Sequence, residues 1–365
     1  MKKLILVTLM IGLLCMEALF ASGAKEAPKS EGRKGESQPA MQSYRGRTLS
    51  VSTWGFNMDL INKNITKPFE EAYGVKIIYE TGNNADRLTK LKARKDSPNV
   101  DVVHFAGNYI YLATKEGLLQ PYEPEKIPSL KELYDWAKDP VGNRYGIGYA
   151  ISTYAIAYRT DKVNPPITSW ADLARPDLKG FVTLPDITTT FGPATVVLLA
   201  KAFGGSEENV EPAWQNLPQI AKNLVTVYRR SSELITLVQQ GEVWVAPYTS
   251  FSWGNLLGTK VPLKSVVPKE GTVGSQSMVA IVKGTKNPDL AHLYIDFILS
   301  HDVQKAQAMD LVDSPTNMTV KVPPEIGEKL AYGPEKLSNI IFLDEAKLAQ
   351  VQESWVKRWQ QIMAK

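Results

Sequence analysis

Cysteine is nearly absent from this 365-residue chain, and the single one is Cys15. No internal disulfide can form, so the fold must rest on apolar burial, which a chain of this length can supply. Histidine is scarce too. His104, His292 and His301 lie far apart and in no metal-ligand spacing, so no metal site is expected, and His292 and His301 read as solvated surface. No H-E-x-x-H, G-x-S-x-G or G-x-x-x-x-G-K-[ST] motif is present. The adjacent carboxylates Glu70-Glu71 and Glu207-Glu208 fall in polar stretches and read as solvated faces, not as an acid/base pair. Nothing in the chain supports catalysis, and no cofactor is implied. An excess of one charge is also missing. Lys and Arg number 42 against 38 Asp and Glu, a net charge of +4 spread along the chain, and without a basic stripe nucleic acid is not an expected partner.

The N-terminus shows what is there instead. Lys2 and Lys3 precede an apolar run from Leu4 to Phe20, and small residues follow at Ala21–Ala24. Residues 1–24 therefore read as an export signal, which places the mature protein in the periplasm or outside the cell. A membrane anchor is the alternative, given a run near the spanning minimum. Lipid attachment at Cys15 is a third reading, disfavoured because Leu14 stands where a small residue is usual. Residues 25–47 mix Lys, Glu, Ser, Gly and Pro with little apolar content and read as a disordered tether.

From residue 48 strand-like and helix-like runs alternate. Strands are expected at 49–53, 75–79 and 100–105, and helices at 58–73, 84–95 and 109–116. A second set follows, with strands at 180–184, 224–228 and 243–247 and helices at 190–203 and 232–239. The apolar run 149–158 is too long for one sheet position and reads as a crossing between lobes, with Ser152-Thr153 as the breakpoint. A return strand is expected at 278–282, a helix opened by Asn287-Pro288, and a C-terminal helix carrying Leu348, Val351, Trp355, Trp359 and Ile362 on one face. Strand-helix-strand order implies an α/β fold with mostly parallel sheets flanked by helices. The boundaries expected are 48–151 with 277–323 for lobe 1, and 152–276 with 324–365 for lobe 2.

Chemistry concentrates at strand ends. Residues 168–186, TSWADLARPDLKGFVTLPD, read as a polar turn, a helical turn at Trp170 and Leu173, and a strand stopping at Pro185-Asp186. Thr188 to Thr190 then open an apolar helix, an arrangement that places ligands in open α/β sheets. Trp54, Asn108-Tyr109, Tyr248-Thr249-Ser250 and Ser275-Gln276-Ser277 also sit at strand ends, the mix a small-ligand cleft needs. Each also has an ordinary reading as a packing, turn or N-capping residue.

These segments, with 69–79 (FEEAYGVKIIY), 115–119 (KEGLL), 241–246 (GEVWVA), 267–271 (VPKEG) and 286–303, resemble the solute-binding components of ATP-driven importers typified by the spermidine/putrescine-binding proteins. The resemblance covers nearly the whole folded part. It implies a monomer of two lobes that closes on a ligand by hinge motion and delivers it to an ABC permease in the inner membrane. It also places Trp54 as an aromatic wall, Asn57 where a second aromatic is usual, Asn108 and Tyr109 as polar-aromatic contacts, and Tyr248 as the second-lobe aromatic. The amine-gripping acids are not kept. Ile187 and Thr190 occupy two of those positions and Ser277 the third, while Asp186 stands one place early. With Arg229 and Arg230 nearby, a small anionic or zwitterionic solute held by Thr188, Thr190, Arg229, Ser231, Ser275 and Ser277 is the leading expectation. A polyamine held by Asp186, with Asp313 or Asp59, is the second. Ferric iron is weaker, since Thr249 rather than a second tyrosine follows Tyr248. An exported glycan hydrolase would need a facing carboxylate pair that the chain does not offer.

Overall fold

The computed structural model describes residues 44–364. The segment read as an export signal, Cys15 and most of the expected tether lie outside them. The tether's last residues are held in place: Gly46 N–H donates to the Gly74 carbonyl at 2.8 Å, Tyr44 packs on the core, and Arg47 grips Asp289 through two bonds of 2.7 and 2.8 Å.

Among the described residues, twelve strands form two joined sheets. They are β1 (Thr48–Thr53), β2 (Lys76–Thr81), β3 (Val102–Ala106), β4 (Leu119–Gln120), β5 (Ile147–Arg159), β6 (Val182–Pro185), β7 (Leu224–Tyr228), β8 (Val245–Thr249), β9 (Leu263–Val266), β10 (Thr272–Val282), β11 (Ser314–Pro315) and β12 (Ile340–Phe342). The main order is β2-β1-β3-β10-β5-β8-β6-β7. Pairing is parallel among β1, β2 and β3 and among β6, β7 and β8. It is antiparallel where β5 and β10 cross.

β5 explains the long apolar run. From Ile147 to Thr153 it pairs with β10 in the first sheet, and from Tyr154 it pairs with β8 in the second. The partner changes one residue beyond the Ser152-Thr153 breakpoint read in the sequence. One strand serving two sheets needs apolar residues on both faces throughout, hence the continuous run. β10 stays in the first sheet, pairing with β3, β5 and, by its first residues, β12, and it is longer than the expected return strand.

Each sheet is covered on both faces. Leu49, Val51, Phe69 and Tyr294 form one core of the first sheet, with Val103, Phe105 and Ile110 on its other side. Tyr154, Trp170, Leu184 and Leu198 fill one side of the second sheet, with Tyr228, Leu234 and Ala246 on the other. The segment 168–186 makes two short turns, Trp170–Ala174 and Pro176–Leu178, before β6. Glu270 fixes the first by accepting from Ser169 Oγ at 2.6 Å and Trp170 N–H at 3.1 Å.

Two expectations change in detail. The helix read at 58–73 is interrupted by a π-turn at Asn62–Thr66, followed by Pro68 at the start of the next helix. His292 is not on the surface. It is 2% exposed, its Nε2 accepting from Glu123 N–H at 2.9 Å and its Nδ1 lying 2.6 Å from the Pro288 carbonyl. A buried His is held when both ring nitrogens find partners, and the partner at Glu123 is remote in sequence.

Candidate functional site

A cleft of about 200 Å³ opens between the two sheets. The loop after β1 forms one wall. Gly55 lies in the left-handed region (φ +79°), where a Cβ would stand 2.8 Å from Thr81 Cβ. Asn57 is also left-handed (φ 54°), a conformation Asn tolerates better than bulkier residues. This turn presents Trp54 and Phe56 to the cleft. Arg87 supports Trp54 from behind, its guanidinium 4.9 Å from the ring centre. Arg87 is 1% exposed and donates to the Gly82 and Ser52 carbonyls and to Asn84 Oδ1 at 2.9–3.2 Å. Burial pulls its guanidinium down to about 9, which leaves it charged at neutral pH.

The second sheet supplies the opposite wall. The tight turn after β6 requires Gly192, since a Cβ there would meet backbone atoms of Asp186 and Ile187 at 2.5 Å. The helix Gly192–Ala202 that follows has no side-chain cap, so the N-capping reading of the threonines does not hold. Thr188 Oγ1 donates to Asp186 Oδ1 at 2.6 Å and Thr189 Oγ1 to the Asp186 carbonyl at 2.7 Å. Thr190 Oγ1 instead accepts from Asn84 Nδ2 across the cleft at 3.0 Å. A second helix, Ser231–Gln240, also starts at the cleft, preceded by Arg229 and Arg230. Two helix N-termini and two arginines therefore line the same wall, and each N-terminus carries partial positive charge.

Of the residues expected at the site, Trp54, Asn57, Thr190, Arg229, Ser231, Ser275 and Ser277 line the cleft. Asn108, Tyr109, Asp186, Thr188 and Tyr248 do not. Asn108 and Tyr109 face the C-terminal helix, bonded to Gln352 at 3.3 and 2.6 Å. Asp186 is 7% exposed and is occupied by Thr188 and, at 3.8 Å, by Arg229. Tyr248 points behind β8, its hydroxyl 2.6 Å from Ser265 Oγ. Asp59, weighed as an amine partner, does not line the cleft either.

Of the other lining residues, Phe251 and Tyr149 escaped the sequence reading, whereas Thr249, Arg230 and Asp313 are named in it. Phe251 meets Phe56 edge-on across the cleft at 5.6 Å. Thr249 lines the cleft with a buried Oγ1 that has no partner. Tyr149, Arg230 and Asp313 complete the polar lining. Burial raises the Asp313 carboxyl to about 6 against a weak opposing bond from Gln307. Thr249 ends strand β8 and Phe251 lies two residues beyond it, so their place at a strand end was the usable signal. Among the described residues, no three His, Cys, Asp or Glu side chains gather as a metal site.

Residues 97–332 match the family model described as bacterial extracellular solute-binding protein. The spermidine/putrescine-binding periplasmic protein of Escherichia coli is 28% identical over 297 residues, covering 79% of this chain and 83% of the relative. A crystal structure of an ABC transporter protein from Clostridium perfringens is 34% identical, with a TM-score of 0.71, covering 86% of this chain and 99% of that one. The periplasmic binding protein AfuA from Actinobacillus pleuropneumoniae, solved with fructose-6-phosphate, is 22% identical with a TM-score of 0.74, covering 87% and 99%.

Proposed function

This chain belongs to the bacterial extracellular solute-binding proteins and is the substrate-binding component of an ABC transporter; from that premise we propose that its solute is small and carries an anionic group. The observation that carries this reading is the wall built from Thr189, Thr190, Arg229, Arg230, Ser231 and Ser232, where two helix N-termini meet. Backbone N–H groups, hydroxyls and guanidinium groups together suit a carboxylate, phosphate or phosphonate. Among the described residues Asp313 is the one carboxylate lining the cleft, against two arginines. A polyamine would need a partner for each ammonium, and an unpaired buried cation costs several kcal/mol. The cleft volume of about 200 Å³ also suits a small solute.

In this reading the two lobes, 48–151 with 277–323 and 152–276 with 324–365, close on the solute. The closed monomer then docks on a permease in the inner membrane, after export directed by residues 1–24. The polyamine reading loses its Asp186 arm, because that carboxylate is turned onto Thr188 and Arg229.

Titration calorimetry with small carboxylates, phosphates and phosphonates, and with putrescine and spermidine, tests the proposal. At least one anion is expected to bind at micromolar Kd or tighter, and Arg230→Gln to weaken it by about tenfold. Tight spermidine binding without any anion binding would sink it.

A further inference from the structure

Asp313 is placed to do something the anion-binding wall does not explain. It lies between the helix His301–Met309 and β11, a strand of the first sheet, whereas the arginines follow β7 of the second. It is half-buried and opens onto the cleft. Among the described residues its side-chain hydrogen bond comes from Gln307 Nε2 to Oδ2 at 3.4 Å. Among the described residues no cation pairs with it. Lys63, on the neighbouring helical segment, is held by Asp310 at 3.0 and 2.7 Å, and Asn64 also donates to Asp310 at 2.8 Å. The adjacent Tyr149 and Ser277 line the same end of the cleft. A carboxylate facing a cavity without a counter-charge is unfavourable until something supplies one, and the aromatic ring of Tyr149 beside it also favours a cation.

We infer that the transported solute is a zwitterion, with its ammonium against Asp313 and its anionic group at the Thr190–Arg230–Ser231 wall. The inference rests on the anionic-solute reading and deepens it. Asp313 thereby becomes the specificity-determining residue, separating an amino acid or amino phosphate from the plain anion of the same shape. The neighbouring titratable groups hold their charge across the neutral range. Burial pushes Tyr149 and Tyr294 far up. Burial, helped by Arg87, pulls His104 down to about 3. Burial would raise Asp310, but Lys63 and Asn64 outweigh it and hold that carboxyl low. Asp313, raised to about 6, is the group left to titrate.

The test is calorimetric binding of matched pairs: 4-aminobutanoate against butanoate, and O-phosphoethanolamine against ethyl phosphate. The wild type is expected to prefer the zwitterion of at least one pair by about tenfold. Asp313→Asn should bring that preference to within about twofold, through weaker binding of the zwitterion. A measurement free of any variant runs beside it. With the carboxylate pair, or with the phosphate pair corrected for phosphate ionisation, the wild-type preference should fall from about pH 8 to about pH 5 as Asp313 takes up its proton. Equal binding of zwitterion and anion in the wild type overturns the inference and leaves the anionic reading intact. Equal loss of both ligands in Asp313→Asn, or a preference indifferent to pH, overturns it as well. Binding of putrescine with neither anions nor zwitterions overturns the anionic reading itself.

Discussion

Single side chains decide what the cleft presents, and Arg87 shows how. Among the described residues it reaches no carboxylate, yet it is almost wholly buried and spends its donors on backbone carbonyls of the strands and loop beside it. It also stacks on both Trp54 and Phe105. One residue thus ties β1, β3 and the loop after β2 together and fixes the aromatic wall. Replacing it with Met keeps the packing volume but removes the donors to the carbonyls and leaves Asn84 Oδ1 only the long bond from Ala106 N–H at 3.5 Å. Arg87→Met should lower unfolding free energy by about 2–4 kcal/mol in chemical denaturation. Ligand affinity should fall as well, because Trp54 loses its support. Unchanged stability would show that water satisfies those carbonyls.

At the scale of elements, the C-terminal helix Glu345–Met363 is the clearest case of one segment serving two parts. Its apolar face, with Leu348, Trp355 and Ile362, lies on the core of the second sheet, and Trp359 there is 1% exposed. Its Gln352 reaches Asn108 and Tyr109 beside the first sheet. Trp359→Ala should cost about 3–5 kcal/mol in a denaturation experiment, whereas the exposed Arg358–Glu211 pair at 2.6 Å should matter far less. The helix itself was legible, since its apolar spacing is regular. Its two-sided contact was not, because nothing local marks Gln352 as a partner of Tyr109. Strand β8 shows the complementary limit. Side chains alternate across a strand, so of Tyr248 and Thr249 only one can face the cleft. The sequence drew attention to the aromatic, and the register puts the threonine there. The crossing strand β5 was readable for the opposite reason, because burial on both faces leaves an uninterrupted apolar signature. Asp313 is read in the sequence as a charge partner, but its place at the cleft follows from topology, since β11, directly after it, pairs with β5.

Across the whole molecule, the cleft is already spanned by Asn84–Thr190 and Phe56–Phe251, so closure and solute capture draw on the same surfaces. A binding protein of this kind stores some instability where the solute will sit, and Asp313 allows that to be measured without any ligand. Folded, its carboxyl sits at about 6; unfolded, it returns to about 3.9. Below the unfolded value both states carry the proton, and the residue leaves stability unchanged. As pH rises from there the unfolded chain ionises first, so the folded state loses ground until about pH 6, above which the penalty is complete. Two pKa units correspond to about 3 kcal/mol, and water in the open cleft should reduce that to about 1–2 kcal/mol. Solute-free Asp313→Asn is therefore expected to be more stable than the wild type by about that amount near pH 7.5, with the difference vanishing near pH 4. Urea denaturation of both proteins at the two pH values reads it directly. A variant less stable than the wild type at neutral pH would mean that the ionised carboxylate is satisfied by the fold alone, with no role reserved for a solute.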